Sequence, residues 1–241
     1  MSVNWYAYST PDDAAAHCAQ RVLRELENAL DAGRPVTLAV SGGSTPKLMF
    51  GHMARTRFDW KQVHLFFVDE RCVEPTDAES NYRMCEESFI KPAYFPRANV
   101  HRMKGELQPD EAARLYTEEL VEFFGLAAGE LPAFDVIHRG MGADAHTASL
   151  FPGEPLINDR EGICAAVWVP KLSKYRITLL PGVLLHARQT VVLAAGADKT
   201  EPLYQVFNAE HDPLQYPSQI DTPHGRNVAW YLDSKAAARL D

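Results

Sequence analysis

Three short segments of this chain concentrate residues that can hold an anion or move a proton. The first is Ser41-Gly42-Gly43-Ser44-Thr45-Pro46. Its two glycines let the backbone bend sharply and bring N–H groups close to an oxyanion. Ser44 or Thr45 can cap a helix starting near Pro46, and the positive end of that helix favours phosphate. The same residues also suit a plain strand-to-helix turn. They match neither G-x-x-x-x-G-K-S/T nor G-x-G-x-x-G, which argues against a nucleotide.

The second segment is Asp69-Glu70-Arg71, with Ser80-Asn81 at the next helix start. Carboxylates at a strand end, with no hydrophobic reason to be there, are either solvated or functional. Arg71 offers a bidentate phosphate contact in an otherwise acidic chain. A surface salt-bridge cluster is the plain alternative. The third segment is Gly140-Met141-Gly142-Ala143-Asp144-Ala145-His146. Gly140 and Gly142 suit a tight turn, and Asp144 is expected near the start of a short helix. That places His146 in the first helical turn, beside N–H groups that disfavour imidazolium and leave a neutral ring able to accept a proton. Asp144 is near enough in sequence to help orient the ring, and a purely structural histidine is the plain alternative.

These segments need a scaffold that brings them together. Strands are expected at 36–40, 63–68, 134–138, 165–169, 176–180, 191–195 and 228–232. Helices are expected at 46–55, 81–90, 110–124, 181–187, 199–207 and 234–240. The clearest helix comes earlier: Thr10 as cap, Pro11 in the first turn, Asp12 and Asp13 against the dipole, and Val22, Leu23, Leu26 and Leu30 at helical spacing before Gly33. Short apolar strands alternating with helices predict a mostly parallel sheet covered on both faces. Each of the three segments directly follows an expected strand, and open parallel sheets bind ligands beyond the carboxyl ends of their strands. Residues 152–162 and 208–224 read as surface loops, and one domain over 1–241 is the expected organisation.

Composition narrows the function further. The chain has 241 residues, 46% hydrophobic and 23% charged, enough to bury a core without metal or disulfide. Its net charge of −8 disfavours nucleic acid and requires a local cationic site for any anionic substrate. No apolar run reaches the ~20 residues of a membrane span, and the first residues lack the pattern of a signal peptide. A cytoplasmic protein is expected. Cys18, Cys72, Cys85 and Cys164 have no close C-x-x-C spacing and read as thiols.

Taken together, the segments resemble the 6-phosphogluconolactonase family within the glucosamine-6-phosphate isomerase/6-phosphogluconolactonase superfamily. The resemblance runs through Ser41-Gly42-Gly43-Ser44-Thr45-Pro46, Val68-Asp69-Glu70-Arg71, Ser80-Asn81, Arg176-Ile177-Thr178-Leu179, Gly196-Ala197-Asp198-Lys199, Tyr216-Pro217-Ser218 and Trp230-Tyr231-Leu232-Asp233. Its most specific piece is His146-Thr147-Ala148-Ser149-Leu150-Phe151-Pro152-Gly153.

The resemblance implies a Rossmann-like fold, no cofactor or metal, and hydrolysis of 6-phosphoglucono-δ-lactone to 6-phosphogluconate. By position it makes His146 the base that activates water, with Asp144 in support. It makes Gly42, Gly43, Ser44, Thr45 and Arg71 the phosphate contacts, with Arg176 and Lys199 as further cations. Backbone N–H groups of the 140–145 turn are candidate oxyanion donors. The expected partner is a small phosphorylated sugar lactone, with the chain itself a monomer or homodimer. Two residues depart from the family pattern. Ala145 stands where glycine is usual, so a positive φ there costs about 1 kcal/mol or more. His138-Arg139 stands where leucine tends to precede the turn, and Arg139 reads as a phosphate ligand or a surface charge.

Two other readings compete. A glucosamine-6-phosphate deaminase shares the glycine loop and the Asp-His turn but needs another acid after the histidine. Here Thr147-Ala148-Ser149-Leu150-Phe151 intervenes, with no acid until Glu154. A non-catalytic sugar-phosphate sensor has no need of His146 paired with Asp144.

Overall fold

The computed structural model describes residues 4–221 and 227–240. Among these residues strands and helices follow one another: β1 (Asn4–Tyr8), α1 (Pro11–Leu30), β2 (Val36–Val40), α2 (Ser44–Arg55), β3 (Val63–Phe67), β4 (Asp69–Arg71), α3 (Asn81–Cys85), β5 (Val100–His101), α4 (Pro109–Phe124), β6 (Val136–Gly140), β7 (Cys164–Val169), β8 (Lys174–Leu179), α5 (Pro181–His186), β9 (Gln189–Ala194), α6 (Thr200–Asn208) and β10 (Val228–Asp233). Seven strands form one sheet in the order β1-β10-β9-β6-β2-β3-β5, and every pairing within it is parallel. The order runs outward in both directions from β2 and β6. The seam between these two strands is therefore the topological switch point, where a parallel sheet opens a crevice.

The expected α/β, Rossmann-like sheet is thus the observed one, and its two faces are legible in the strands. Val191 and Leu193 of β9, with Ala229 and Tyr231 of β10, join the core that contains α1 and α2. The alternate residues Val192, Ala194, Trp230 and Leu232 form a second cluster with Leu203 and Val206 of α6. This is the period-2 alternation of a sheet buried on both sides. Helix α1 starts as its sequence dictates: the Thr10 side chain accepts from the Asp13 N–H, and Gly33 follows the helix at φ 66°. The four cysteines are unbonded thiols.

Several expectations need correction. Strand β1 pairs with β10 at the sheet edge; its residues show no clean hydrophobic alternation, and only the partner strand makes them extended. The 81–90 helix continues through a π turn at Glu86–Ile90. Residues 234–239 form hydrogen-bonded turns in place of a helix, held by Asp233 Oδ1 accepting the N–H groups of Gly196 and Ala236. The 152–162 loop carries a 3-10 turn at Pro155–Asn158. The 208–224 stretch is not all surface, because Pro217–Asp221 is a buried 3-10 turn. Its last three residues lie outside the described ones.

Asp69-Glu70-Arg71 is itself a strand. It leaves the large sheet and pairs antiparallel with β8 in a second sheet, ordered β4-β8-β7. No helix among the described residues is long and apolar enough to cross a membrane.

Candidate active site

A cavity of about 200 Å³ opens at the carboxyl ends of β2, β6 and β9, over the switch point. All three segments reach it. Gly42, Gly43, Ser44 and Thr45 line one side, Asp69, Arg71 and Arg176 another, and Gly142 and His146 a third, with Lys199 from the 3-10 turn Ala197–Lys199 that follows β9. Asp144 does not line the cavity; it sits behind His146.

The glycine loop is built by close approach as much as by bending. A Cβ on Gly42 would lie 1.9 Å from Asn81 Oδ1, so no larger residue fits. Gly43 has φ 127° and is itself the N-cap of α2. The expectation that Ser44 or Thr45 caps the helix is therefore corrected: both lie in its first turn, and no side chain caps it. The N-terminal end of α2 borders the cavity with its dipole unopposed by any acidic residue in the first turn.

The strand β4 separates two roles by alternation. Glu70 is buried and points to the start of α3, where its carboxylate accepts the N–H groups of Arg71 (2.7 Å), Asn81 (2.7 Å) and Tyr82 (2.8 Å) and the Ser80 hydroxyl (3.1 Å). Burial pushes its carboxyl up, and those backbone donors oppose the rise. Asp69 and Arg71 face the cavity. Asp69 is buried, accepts the Ser149 hydroxyl at 2.8 Å, and lies 4.0 Å from Arg176. The carboxylates are therefore not a surface salt-bridge cluster.

Arg71 is directly opposite Arg176 in the β4–β8 register. The Nε atoms of both are buried without a hydrogen-bond partner among the described residues, although Arg71 also donates to the Glu79 carbonyl. Burial lowers the Arg176 affinity for its proton, with Asp69 opposing the effect and Arg71 reinforcing it. Lys199 is paired with Asp198 at 2.8 Å.

The Gly140–His146 segment holds no helix. It is a turn in which Gly142 N–H donates to the His146 carbonyl (2.9 Å) and Ala145 N–H to the Gly142 carbonyl (3.1 Å). His146 therefore has no helix N-terminus beside it, contrary to the expectation, and those two N–H groups are committed within the turn rather than free for an oxyanion. What orients His146 is its contacts. Nδ1 meets Asp144 Oδ1 at 2.5 Å, and the ring stacks on Phe151 at 4.2 Å between centroids. A Cβ on Gly142 would lie 1.9 Å from His146 Nδ1, so glycine is required for the ring to sit there. Burial raises the Asp144 carboxyl, but hydrogen bonds from His146 and Lys171 outweigh it and hold the group well below the usual carboxylate range.

Ala145 has φ 64°, as the departure from glycine implied, and is fully buried. Arg139 is neither a phosphate ligand nor a surface charge. It is buried, paired with Asp221 and hydrogen-bonded to Thr147 at 3.1 Å, tying the turn to the Pro217–Asp221 segment.

With this geometry in place, comparison with known proteins is decisive. Residues 9–230 match the family model described as glucosamine-6-phosphate isomerases/6-phosphogluconolactonase. The chain belongs to this family. It is 38% identical to a 6-phosphogluconolactonase of Synechocystis over 85% of this chain and 84% of that one. It is 36% identical to one of Nostoc over 95% and 96%. A solved 6-phosphogluconolactonase of Shewanella baltica superposes with a TM-score of 0.84 at 27% identity, covering 96% of this chain and 97% of that one. A monomeric glucosamine-6-phosphate deaminase shares the fold, with a TM-score of 0.80 at 16% identity over 98% and 99% of the two chains.

Sequence reasoning missed Lys171, Phe151 and Asn81 as neighbours of the site residues. Lys171 carries no local signal of a role, and Phe151 stands within the His146–Gly153 string without its stacking on the ring being legible there. Ser80-Asn81 stands out in the sequence, but the packing of Asn81 against Gly42 is a tertiary contact with no local pattern.

Proposed function

We propose that this chain hydrolyses 6-phospho-D-glucono-1,5-lactone to 6-phospho-D-gluconate, with His146 as general base. The observation that carries this reading is the His146–Asp144 pair at the wall of a cavity whose other walls hold Arg71, Arg176 and Lys199. The ester phosphate sits against the Gly42–Thr45 backbone and the Arg71–Arg176 pair, where two guanidiniums oppose each other and a dianion neutralises them. Lys199 adds positive charge at the rim.

Fixing the phosphate places the lactone carbonyl near His146. The free Nε2 of His146 takes a proton from water as its oxygen bonds to the lactone carbon, and the imidazolium formed is held by Asp144. Collapse of the tetrahedral intermediate breaks the bond to the ring oxygen, which takes the proton back from His146. The product carboxyl then ionises to the solvent. A lactone is an activated ester, so a positioned base contributing roughly 10²–10⁴-fold suffices for useful acceleration.

The test is hydrolysis of freshly prepared lactone, corrected for spontaneous opening, by wild type and His146→Ala. The expected loss is on the order of 10²–10⁴-fold in kcat. Equal rates would eliminate the general-base role.

A further inference from the structure

Asp144 has two partners, and only one belongs to the turn. Its Oδ1 meets His146 Nδ1 at 2.5 Å, while its Oδ2 meets the ammonium of Lys171. Lys171 comes from a different element, the 3-10 turn Pro170–Leu172 between β7 and β8. Its Nζ also lies 4.3 Å from the centroid of Phe151, the ring on which His146 stacks. The second sheet thus sends a cation to the far side of the dyad, outside the cavity where substrate binds.

We propose that Lys171 is a positioning residue that sets the pH at which His146 becomes a free base, by sharing the Asp144 carboxylate with it. This rests on the reading of His146 as the base. An ionised aspartate stabilises imidazolium over imidazole, so an unshared carboxylate keeps the proton on the ring to higher pH. A cation on the second oxygen offsets part of that charge and adds a like charge near the imidazolium. The carboxylate then still fixes the ring through Nδ1 but holds its proton less tightly. The low proton affinity of Asp144, to which Lys171 contributes, keeps the carboxylate ionised throughout.

Other charged groups also face this histidine. Asp69 and Arg71 line the cavity from β4, Arg176 from β8, and Lys199 from the 3-10 turn that follows β9. Arg176 also lies 5.7 Å from the Phe151 centroid. Arg139 lies beneath the turn, paired with Asp221. Among the described residues, Lys171 is the cation in contact with Asp144. Replacing it leaves the other groups in place, so a change in titration reports on Lys171. Its side chain is 51% exposed, which makes its replacement tolerable for folding.

The experiment compares wild type with Lys171→Met, Lys171→Gln and Lys171→Arg by two readouts. One is the acid limb of kcat/KM; the other is the NMR titration of the His146 ring without substrate. In the Met and Gln variants both midpoints are expected to move to higher pH by about 0.5–1 unit, and Arg is expected to restore them. Below the limb this is a loss of activity of roughly three- to tenfold. A role in packing alone would lower the maximal rate and leave both midpoints where they were, and that result overturns the proposal. His146→Gln measured in parallel separates the two readings. If it keeps the wild-type rate, the base assignment fails, while the NMR midpoints still judge whether Lys171 controls the ring.

Discussion

At the scale of single residues, the turn holding His146 is defined by two positions that tolerate little change, for different reasons. Gly142 is fixed by space, since any Cβ would strike the imidazole. Ala145 is fixed by conformation: at φ 64° an L-residue carries strain of about 1 kcal/mol. The turn holds that strain through the Ala145 N–H bond to Gly142 and the Ser218 N–H bond to the Ala145 carbonyl at 2.9 Å. Ala145→Gly should therefore stabilise the fold by up to about 1 kcal/mol, raising Tm by about 2–4 °C. Thermal unfolding checks this. A lower Tm would mean that the buried methyl, packed in the cluster of Met141 and Trp230, outweighs the strain.

At the scale of elements, the second sheet does what the large one cannot. The parallel sheet delivers the glycine loop and the histidine turn to one edge, while β4 and β8 supply the cations. Their antiparallel register sets Arg71 against Arg176, an arrangement that is unfavourable for like charges in the absence of an anion. Arg71→Ala should raise KM for the phosphorylated lactone by roughly ten- to hundredfold, the range of a charged hydrogen bond. The unphosphorylated gluconolactone should be affected far less. Equal changes for the two substrates would remove the phosphate role. Because the substitution also relieves the cross-strand repulsion, urea unfolding is expected to show little loss of stability.

At the scale of the whole molecule, an acidic chain of net charge −8 keeps a cationic cavity at its switch point. The core beneath it contains an unusual group. His138 on β6 is fully buried beside Phe50, and neither ring nitrogen has a hydrogen-bond partner among the described residues. Burial, helped by the charge of Arg139, lowers its pKa from 6.5 to about 3. Between these values the unfolded chain binds a proton that the folded chain refuses, so stability falls as pH drops through this window. The slope reaches at most about 1.4 kcal/mol per pH unit from this group. His138→Leu should flatten the profile, with a smaller loss of unfolding free energy between about pH 7 and about pH 5 than in wild type. An unchanged difference would show that His138 does not govern the acid sensitivity.

The residue pattern alone carried the alternation of apolar strands and helices, hence the parallel sheet and the edge at which the candidate site lies. It also determined the chemical types at the site, because the glycines, Arg71, Asp144 and His146 cluster just after strands. Local pattern could carry these features because each depends on periodicity or on a few adjacent residues. Tertiary structure decided the rest. Asp69-Glu70-Arg71 became a strand only through pairing with β8, and Glu70 came to accept the first N–H groups of α3, beside the Ser80 N-cap, only when that helix packed against it. The helix expected at Asp144 gave way to a turn because Ser218, and Asp221 through Arg139, hold it from a segment far along the chain. Lys171 illustrates the limit most clearly: an ordinary lysine in sequence, it reaches Asp144 only because two sheets meet beside His146.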